Sequence, residues 1–529
     1  MMNLKNLKNS LPFLIGIILG LYFITLNITG KNLSHFPGDL GDGRFNTYIL
    51  EHAHKFFIGQ EESLWQAPFM HPEPEVITYS DNLVGTAPFY SIFRFLGLDR
   101  EASFQSWFLL IIVLNFTCCY FFLNWLFKNK YAAVLGAMVF AFSMGLQSQM
   151  THAQMFTRFP VPLAFWAALF FNKEFKPKYF FAAVFLVVYQ LYCGIYMGLM
   201  LIIPIATMLF FALINKPNLL LTKIKDIKWI AKVIASLALN LLIALPILIP
   251  YSERTKTLSL HSYESVFLSL PTIKSFFFSQ SGSLFWEFLV EASQSYPAWW
   301  DHQIFVGGVA MLAMLVFLVL FFIQVINKNK FENATVNSSI VILVLSGLIT
   351  FLVFLRIGDF SFYQFVYKLP GFGSLRSLTR IINIELIFFA IATAFVFSTV
   401  LRKQNFLSAL LFVLFAGLIT ADNYYKEEAT YRTEKTLSQS RVNKLIEKMK
   451  NIPPGSIVSH EPEITEHYSF VYQLDAMLAA QSLNLKAVNG YSSTSPYSYT
   501  PFWMEMNSQA RENWFKSVEF VPDTVYVIP

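Results

Sequence analysis

The chain is poor in charged residues and in cysteine, and both shortages limit the class of protein that it can form. Only 14% of its 529 residues are charged, whereas a soluble protein of this size carries about a quarter. Its three cysteines, Cys118, Cys119 and Cys193, all lie inside apolar blocks, and neighbouring cysteines do not readily pair with each other. We therefore expect neither a disulfide framework nor a metal site built from thiolates.

Several motifs that mark soluble enzymes are also missing. The sequence contains no G-x-S-x-G nucleophile elbow, no H-E-x-x-H zinc motif and no P-loop, which disfavours a soluble-type hydrolase. The net charge is a modest +6 and comes largely from lysines in short loops. Such lysines indicate membrane topology, and we expect no nucleic-acid partner.

Long apolar blocks dominate what the sequence does contain. Hydrophobic residues make up 55% of the chain and aromatic residues 17%, with a mean hydropathy of +0.49. Each block approaches the roughly 20 residues that a membrane-spanning helix needs. The pattern predicts a protein embedded in the lipid bilayer with about eleven transmembrane helices, near residues 11–30, 104–127, 131–147, 159–172, 179–193, 195–214, 229–250, 303–326, 338–356, 378–400 and 405–421.

The distribution of lysine and arginine predicts how these helices are oriented. If the N-terminus is cytoplasmic, every cytoplasmic loop is short and basic, namely 128–130, 172–178, 215–228, 327–330 and 401–405. The opposite loops are longer and hold most of the acids, histidines and tryptophans. The first apolar block lacks a small-residue cleavage site, so we expect it to be retained. We predict a multi-pass protein of a bacterial cytoplasmic (inner) membrane with an extracytoplasmic C-terminus.

The chain is predicted to form two parts, which together make a mostly α fold. Residues 1–421 form a transmembrane domain with a long extracytoplasmic first loop at 31–103 and another outer loop at 251–302. Residues 422–529 carry a helical pattern at 432–451, a buried strand in "SIVSH", a helix in "YQLDAMLAAQSLN" and a strand that leads into a loop in "AVNGYSS". This pattern predicts a small extracytoplasmic α/β domain.

Two aspartates lie among glycines at the start of the first outer loop, in "GDLGDGRF". Asp42 stands where a helical pattern begins, so its carboxylate has two possible roles. It caps the helix, or it acts as a general base or positions a cation or an acceptor at the membrane surface. Asp39 is its candidate partner in that chemistry. Arg44 is expected to hold a neighbouring phosphate or to pair with an acid.

Polar residues in two further outer loops are candidates for binding substrate. Asp81 and Asn82 form either a turn with an Asx bond or a second polar contact in the site. His152, Gln154 and Arg158 cluster between two predicted spans. In so short a loop, the arginine is expected to meet a lipid phosphate or to snorkel at a helix end.

A pair of arginines precedes the tenth predicted span on the same outer side. Arg376 and Arg380 are four residues apart, so on a helix they would share one face. Two cations at the start of a helix oppose its dipole and the positive-inside trend. An anion is expected to compensate them, and the phosphate of a lipid-linked substrate suits that role.

These features together resemble the GT-C superfamily of integral-membrane glycosyltransferases. "GDGRF" (41–45) is similar to the acidic first-loop motif of protein O-mannosyltransferases and aminoarabinose transferases, with Gly41 where those proteins have a second acid. "LPGFGSLRSLTR" (369–380) resembles a stretch of bacterial YfhO-like proteins. "LDAMLAAQSLNLKAVNGYSSTSP" (474–496) resembles a segment of their relatives.

The resemblance implies a sugar donor linked to polyprenyl phosphate and an extracytoplasmic acceptor that is a glycan, a lipid or a protein. It further implies that Asp42, with Asp39, orients or deprotonates the acceptor, and that Arg376, Arg380 and Arg158 hold the departing phosphate. Some members of the superfamily need a divalent cation and others do not. If this protein binds Mg²⁺ or Mn²⁺, the resemblance implies that Asp42 and Asp39 are its ligands.

A membrane protein without enzymatic activity is the alternative hypothesis. It would be a transporter or flippase, or an accessory factor for the assembly of a cell-envelope polymer. Transporters usually carry ionisable groups near the middle of the bilayer. Here the predicted spans are almost free of charge, and the charged residues cluster at the outer interface. This distribution favours chemistry on a lipid headgroup.

Overall fold

The computed structural model of the protein describes residues 4–149, 152–258, 261–326, 338–403, 405–430, 432–466 and 468–529. The basic loop predicted at 327–330 lies outside these ranges. The helices are α1 (Leu4–Gly20), α2 (Leu26–Thr29), α3 (Asp42–Phe57), α4 (Ala87–Phe95), α5 (Arg100–Phe127), α6 (Lys130–Phe142), α7 (Pro160–Glu174), α8 (Pro177–Cys193), α9 (Ile195–Ile214), α10 (Pro217–Lys223), α11 (Ile227–Thr257), α12 (Tyr263–Leu268), α13 (Gly308–Ile326), α14 (Ser338–Phe354), α15 (Tyr363–Val366), α16 (Ile382–Val400), α17 (Phe406–Asp422), α18 (Lys435–Met449), α19 (Phe470–Leu483), α20 (Thr500–Glu505) and α21 (Ser508–Ser517). The strands are β1 (His35–Pro37), β2 (Arg432–Glu434), β3 (Ile457–His460), β4 (Lys486–Ala487) and β5 (Val525–Ile528).

Every predicted span coincides with a helix, and the first continues from α1 through a π-helical turn into α2. Within the described ranges, six helices are long and apolar enough to cross a membrane, as judged by length and composition. Four apolar helices are shorter: Lys130–Leu146, Pro177–Cys193, Ser338–Phe354 and Phe406–Asp422. The mostly helical, multi-pass architecture is therefore supported, and the number of crossings stays a prediction.

Helix α16 forms the centre of the bundle, where it packs against α6 and α13. Most of its residues are buried, whereas α11 is largely exposed, as expected for a helix that faces lipid. Gly136 on α6 allows the backbones of α6 and α16 to approach closely. A Cβ at this position would lie 2.6 Å from the carbonyl oxygen of Ala390. Small residues at such crossings let two helix backbones approach in a membrane.

Residues 422–529, called the C-terminal segment below, contain a three-stranded parallel sheet. Strand β3 is central and pairs with β4 on one side and β5 on the other. Helices α18 and α19 pack together beside this sheet. The predicted strand in "SIVSH" corresponds to β3, and the predicted helix in "YQLDAMLAAQSLN" corresponds to α19.

The C-terminal segment and the first loop share one interface. Strand β1 of the first loop pairs antiparallel with β2, with Phe36 opposite Thr433. The Gln481 side chain donates to the Tyr48 carbonyl oxygen at 3.0 Å, and Lys55 Nζ donates to Asn484 Oδ1 at 2.7 Å. These contacts join segments more than 390 residues apart in sequence into one layer at one end of the bundle.

A buried ion network holds this interface together, and Arg44 belongs to it. The Arg44 guanidinium pairs with the Asp475 carboxylate and donates to the carbonyl oxygens of Leu40 at 2.8 Å and Val471 at 3.0 Å. Asp475 also accepts from Arg441 at 2.8 Å. Of the two roles predicted for Arg44, the structure places it in an ion pair with an acid.

Candidate functional site

At the turn before α3, the side chains of Asp39 and Asp42 make different contacts. One carboxylate oxygen of Asp39 accepts from the backbone N–H groups of Gly41 at 3.0 Å and Gly43 at 3.4 Å. Gly41 occupies the N-cap position of α3, and its neighbour Asp42 is the first residue of the helix. The capping role that the sequence suggested for Asp42 therefore falls to Asp39. This leaves the Asp42 carboxylate available to other groups.

The Asp42 carboxylate is held by two side chains from distant parts of the chain. Nδ1 of His152 lies 2.9 Å from one carboxylate oxygen, and the hydroxyl of Tyr491 donates to the other at 2.6 Å. His152 comes from the loop before α7, and Tyr491 from the C-terminal segment. Three segments thus meet at a half-buried carboxylate, which has the geometry of an organised site.

The two aspartates have pKa values shifted in opposite directions. Burial acts to raise the pKa of Asp42, but the contacts with His152 and Tyr491 and the charge of Arg380 outweigh it, so the pKa lies below its usual value. Burial raises the pKa of Asp39, and the negative charge of Asp42 adds to that rise. Asp42 is therefore the more strongly acidic of the pair and carries its charge at neutral pH.

Arg380 lies next to this carboxylate, in a 3-10 turn directly before α16. Its guanidinium is buried, with its central carbon 5.0 Å from the ring centre of Tyr196. Its Nε has no hydrogen-bond partner among the described residues. A buried guanidinium that lacks a full set of acceptors favours an anion beside it.

Arg376 is exposed, and its backbone is held by two hydrogen bonds: its N–H donates to the Tyr196 hydroxyl at 2.9 Å, and its carbonyl oxygen accepts from the Ser269 hydroxyl at 2.5 Å. Its side chain is close enough for its charge to lower the Tyr491 pKa, although burial dominates and raises that pKa overall. The prediction that Arg376 and Arg380 share a helix face is wrong. Helix α16 begins only at Ile382, so Arg376 lies in irregular backbone.

Asp81 and Asn82 lie close to the site and make backbone contacts. One Asp81 carboxylate oxygen accepts from the Ile195 N–H at 2.5 Å, at the first residue of α9. The Asn82 side chain accepts from the Val84 N–H at 3.0 Å and donates to the Leu191 carbonyl oxygen at 3.2 Å. Of the two roles considered for this pair, the Asx turn is the one seen for Asn82.

Gln154 and Arg158 point into the bundle. Gln154 is buried, and its Oε1 has no partner among the described residues. Arg158 is fully buried and donates to Asn383 Oδ1 at 3.2 Å, while its backbone N–H donates to Asn115 Oδ1 at 3.0 Å. The Arg158 side chain therefore lies inside the protein, where its Nε and Nη2 have no hydrogen-bond partner among the described residues, and its contact with a lipid phosphate stays a prediction.

Asp42 and Asp39 are the candidate ligands for a divalent cation. Among the described side chains, no three His, Cys, Asp or Glu residues come together as a set that holds a metal ion. Asp42 already engages His152 and Tyr491, and Asp39 engages backbone N–H groups. The expected Mg²⁺ or Mn²⁺ stays a prediction.

Sequence reasoning missed Tyr491 and Tyr196. Both are uncharged aromatic residues in a chain that is 17% aromatic, so neither stands out by composition. Tyr491 does lie within the "NGYSS" stretch that carries part of the family resemblance. That stretch is the one signal that singles it out from the other tyrosines.

Comparison with known proteins relates the fold to a membrane enzyme. No family model and no curated protein matches the chain. Two structures of an oligosaccharyltransferase from the archaeon Archaeoglobus fulgidus are similar to it. AglB in complex with an inhibitory peptide and a dolichol-phosphate has a TM-score of 0.50 at 12% identity, over 98% of this chain and 69% of that one. The apo form has a TM-score of 0.47 at 11% identity, over the same shares.

An identity of 12% shows a shared fold and no more. This likeness is one of fold, and membership of the GT-C superfamily or of its particular bacterial groups stays a prediction. This chain therefore shares its fold with an archaeal oligosaccharyltransferase.

Proposed function

We propose that this protein is a membrane glycosyltransferase that moves a sugar from a polyprenyl-phosphate-linked donor to an extracytoplasmic acceptor. One observation carries the proposal. The charged Asp42 carboxylate, held by His152 and Tyr491, lies within the field of Arg380, which lacks a full set of acceptors. A glycosyl transfer needs this combination, because one group must engage the acceptor while another receives a departing phosphate.

In this proposal Asp42 engages the acceptor. A carboxylate with a lowered pKa accepts hydrogen bonds well but is a weak base at neutral pH. Its main contribution is therefore to orient the attacking O–H or N–H group toward the sugar, with proton removal late in the reaction. Asp39 supports it by fixing the turn that precedes α3.

The two arginines receive the phosphate in this proposal. Arg376 is exposed, whereas Arg380 is buried beside Tyr196. One positive charge is therefore accessible from outside the protein, and the other lies inside it. A guanidinium binds phosphate oxygens through paired N–H groups and does not lose its charge. That the related structure was solved with a dolichol-phosphate and an inhibitory peptide supports a lipid-linked donor. It also favours a peptide or protein among the possible acceptors.

The test compares a deletion strain with its parent. We expect lipid-linked sugars to accumulate in the deletion strain and one envelope glycan, glycolipid or glycoprotein to be lost. The intact gene should reverse both changes, whereas a gene carrying Asp42→Asn should reverse neither. Identical lipid-linked sugars and glycans in the two strains would remove the proposed function.

Replacing Arg376 by alanine should weaken use of the lipid donor. The loss of one charge-assisted contact is worth about 1.5–3 kcal/mol, so the apparent donor affinity should fall by roughly tenfold or more. The measurement is the transfer rate against donor concentration in purified protein. Lys368→Ala is the matched control, because Lys368 is an exposed cation on the same segment. Equal effects of the two variants would exclude Arg376 from phosphate binding.

The orientation proposed above has its own test. A reporter that is active only outside the cytoplasm should work when fused after Pro529 and fail when inserted at Asn129, within the basic loop at 128–130. Reporter activity in intact cells measures this directly. The reverse pattern would place the site on the cytoplasmic side.

One observation favours a transporter or flippase as the second candidate. Glu385 on α16 is buried inside the bundle, and its Oε2 has no partner among the described residues. An ionisable group inside a bundle often marks a transport path. Purified protein in liposomes should show no flux of polyprenyl-phosphate-linked sugars without an acceptor. Such a flux, unaffected by Asp42→Asn, would favour transport.

A further inference from the structure

The C-terminal segment places one side chain, Tyr491, in the membrane-domain site. The Tyr491 ring packs between Phe45 of α3 and Phe470 of α19, with ring centres 5.6 Å from each. Its backbone N–H faces the sulfur of Met477 at 3.1 Å. The hydroxyl then reaches Asp42 at 2.6 Å. Ring and backbone are thus both fixed, so the position of the hydroxyl is set by packing on two sides.

The residues just before Tyr491 are fixed as well. Oε1 of Gln473 accepts from the Gly490 N–H at 3.0 Å and from the Asn489 side chain at 3.1 Å. A Cβ at Gly490 would lie 2.1 Å from the side chain of Met70, so this backbone is tightly enclosed by the first loop. The backbone that leads into Tyr491 is therefore held in one place, which is more than a tyrosine that only fills space would need.

The Asp42 carboxylate is held by residues that lie outside its own helix, α3. Among the described residues, its carboxylate oxygens contact only His152 and Tyr491, one each. A carboxylate offers about four acceptor positions, so about two stay open for a substrate. The two contacts together fix the torsion of the carboxylate and hence the direction of the open positions.

We infer that Tyr491 is a positioning residue for glycosyl transfer, so that the C-terminal segment completes the active site by fixing the Asp42 carboxylate toward the acceptor. This inference rests on the proposed function. It adds that the site is composite: the first loop, the loop before α7 and the C-terminal segment each supply one member of the Asp42–His152–Tyr491 group. The hydroxyl of Tyr491 acts through Asp42 and does not itself touch the reacting sugar.

The experiment uses Tyr491→Phe in the full-length protein, purified in lipid nanodiscs. Phenylalanine keeps the ring packing and removes only the hydroxyl. Tyr472→Phe is the matched control, because the one hydrogen bond of the Tyr472 hydroxyl among the described residues is with the exposed Thr465, at 3.0 Å. The two measurements are turnover at saturating lipid donor and the affinity for undecaprenyl phosphate as a competing probe.

Tyr491→Phe should lower turnover by roughly ten- to a hundredfold, the range expected for a lost hydrogen bond to a charged group. The affinity for undecaprenyl phosphate should change by less than about twofold, because the arginines are untouched. Tyr472→Phe should match the parent in both measurements. His152→Asn combined with Tyr491→Phe should cost less than the sum of the single changes, since both act on one carboxylate.

Three results would overturn the inference. Tyr491→Phe with the turnover of the parent would show that the hydroxyl has no part in catalysis. Equal losses in turnover and in undecaprenyl phosphate affinity, or a protein that no longer folds, would show a structural role only. The proposed function fails in a different way: the parent protein itself would then transfer no sugar from a lipid-linked donor, whatever the effect at Tyr491.

Discussion

Asp42→Asn should abolish glycosyl transfer while leaving the protein folded in the membrane. Asparagine has nearly the same shape but carries no charge, and it replaces one acceptor oxygen by a donor. The acceptor would then lose the group that orients it, a contribution worth about 10²- to 10⁴-fold in rate. Folding should survive because Asp42 is half-buried and the turn before α3 is held by Asp39.

The measurement is turnover of a lipid-linked donor by purified protein, with membrane yield and melting temperature recorded alongside. Asp39→Asn is the informative comparison. It should reduce stability by about 1 kcal/mol, as expected for a weakened cap, and reduce turnover much less than Asp42→Asn does. Full turnover in Asp42→Asn would remove this carboxylate from the mechanism. A larger loss in Asp39→Asn would exchange the two roles.

Arg44→Met should destabilise the protein strongly without changing its affinity for the donor. Arg44 is 1% exposed, and its guanidinium serves Asp475 and two backbone carbonyl oxygens. Removing one partner of a buried ion pair costs about 3–5 kcal/mol, because the other charge is left buried. Here Arg441 still contacts Asp475, so we expect a value near about 3 kcal/mol.

The double variant Arg44→Met with Asp475→Leu should recover most of that loss, since apolar residues often replace a buried ion pair at little cost. Lys450→Ala is the control, because its pair with Glu447 is exposed and worth at most about 1 kcal/mol. The measurements are the melting temperature and the protease sensitivity of the C-terminal segment. A stable Arg44→Met variant with weakened donor binding would instead restore the phosphate role first expected for Arg44.

Hydropathy predicted the helices well because it is a local property. A block such as 195–214 needs no distant partner to become helical in a membrane, and α9 has the same bounds. The same holds for α19 and β3, whose patterns repeat over a few residues. The additional strand β5 was not predicted, since it depends on pairing with β3, about 68 residues earlier.

The site was only partly predictable, because the partner of a charged residue is not a local property. Asp42 and His152 were both candidates, and the structure brings them together. Arg44 belongs to the same motif as Asp42, yet its guanidinium forms an ion pair with Asp475, which lies 431 residues away in the sequence. In the sequence, Arg158 lies just before a predicted span. In the structure its side chain is buried and donates to Asn383, 225 residues later. No pattern in a single sequence encodes such pairings.

The contact between Asp42 and Tyr491 also has a consequence for the order of biosynthesis. The two residues are separated by 449 positions, and a ribosome adds about 5–20 residues per second. For roughly 20–90 s the growing chain therefore presents a carboxylate that nothing from the C-terminal segment yet restrains. On the inference drawn for Tyr491, a nascent or truncated chain would transfer sugar slowly until the C-terminal segment has been made.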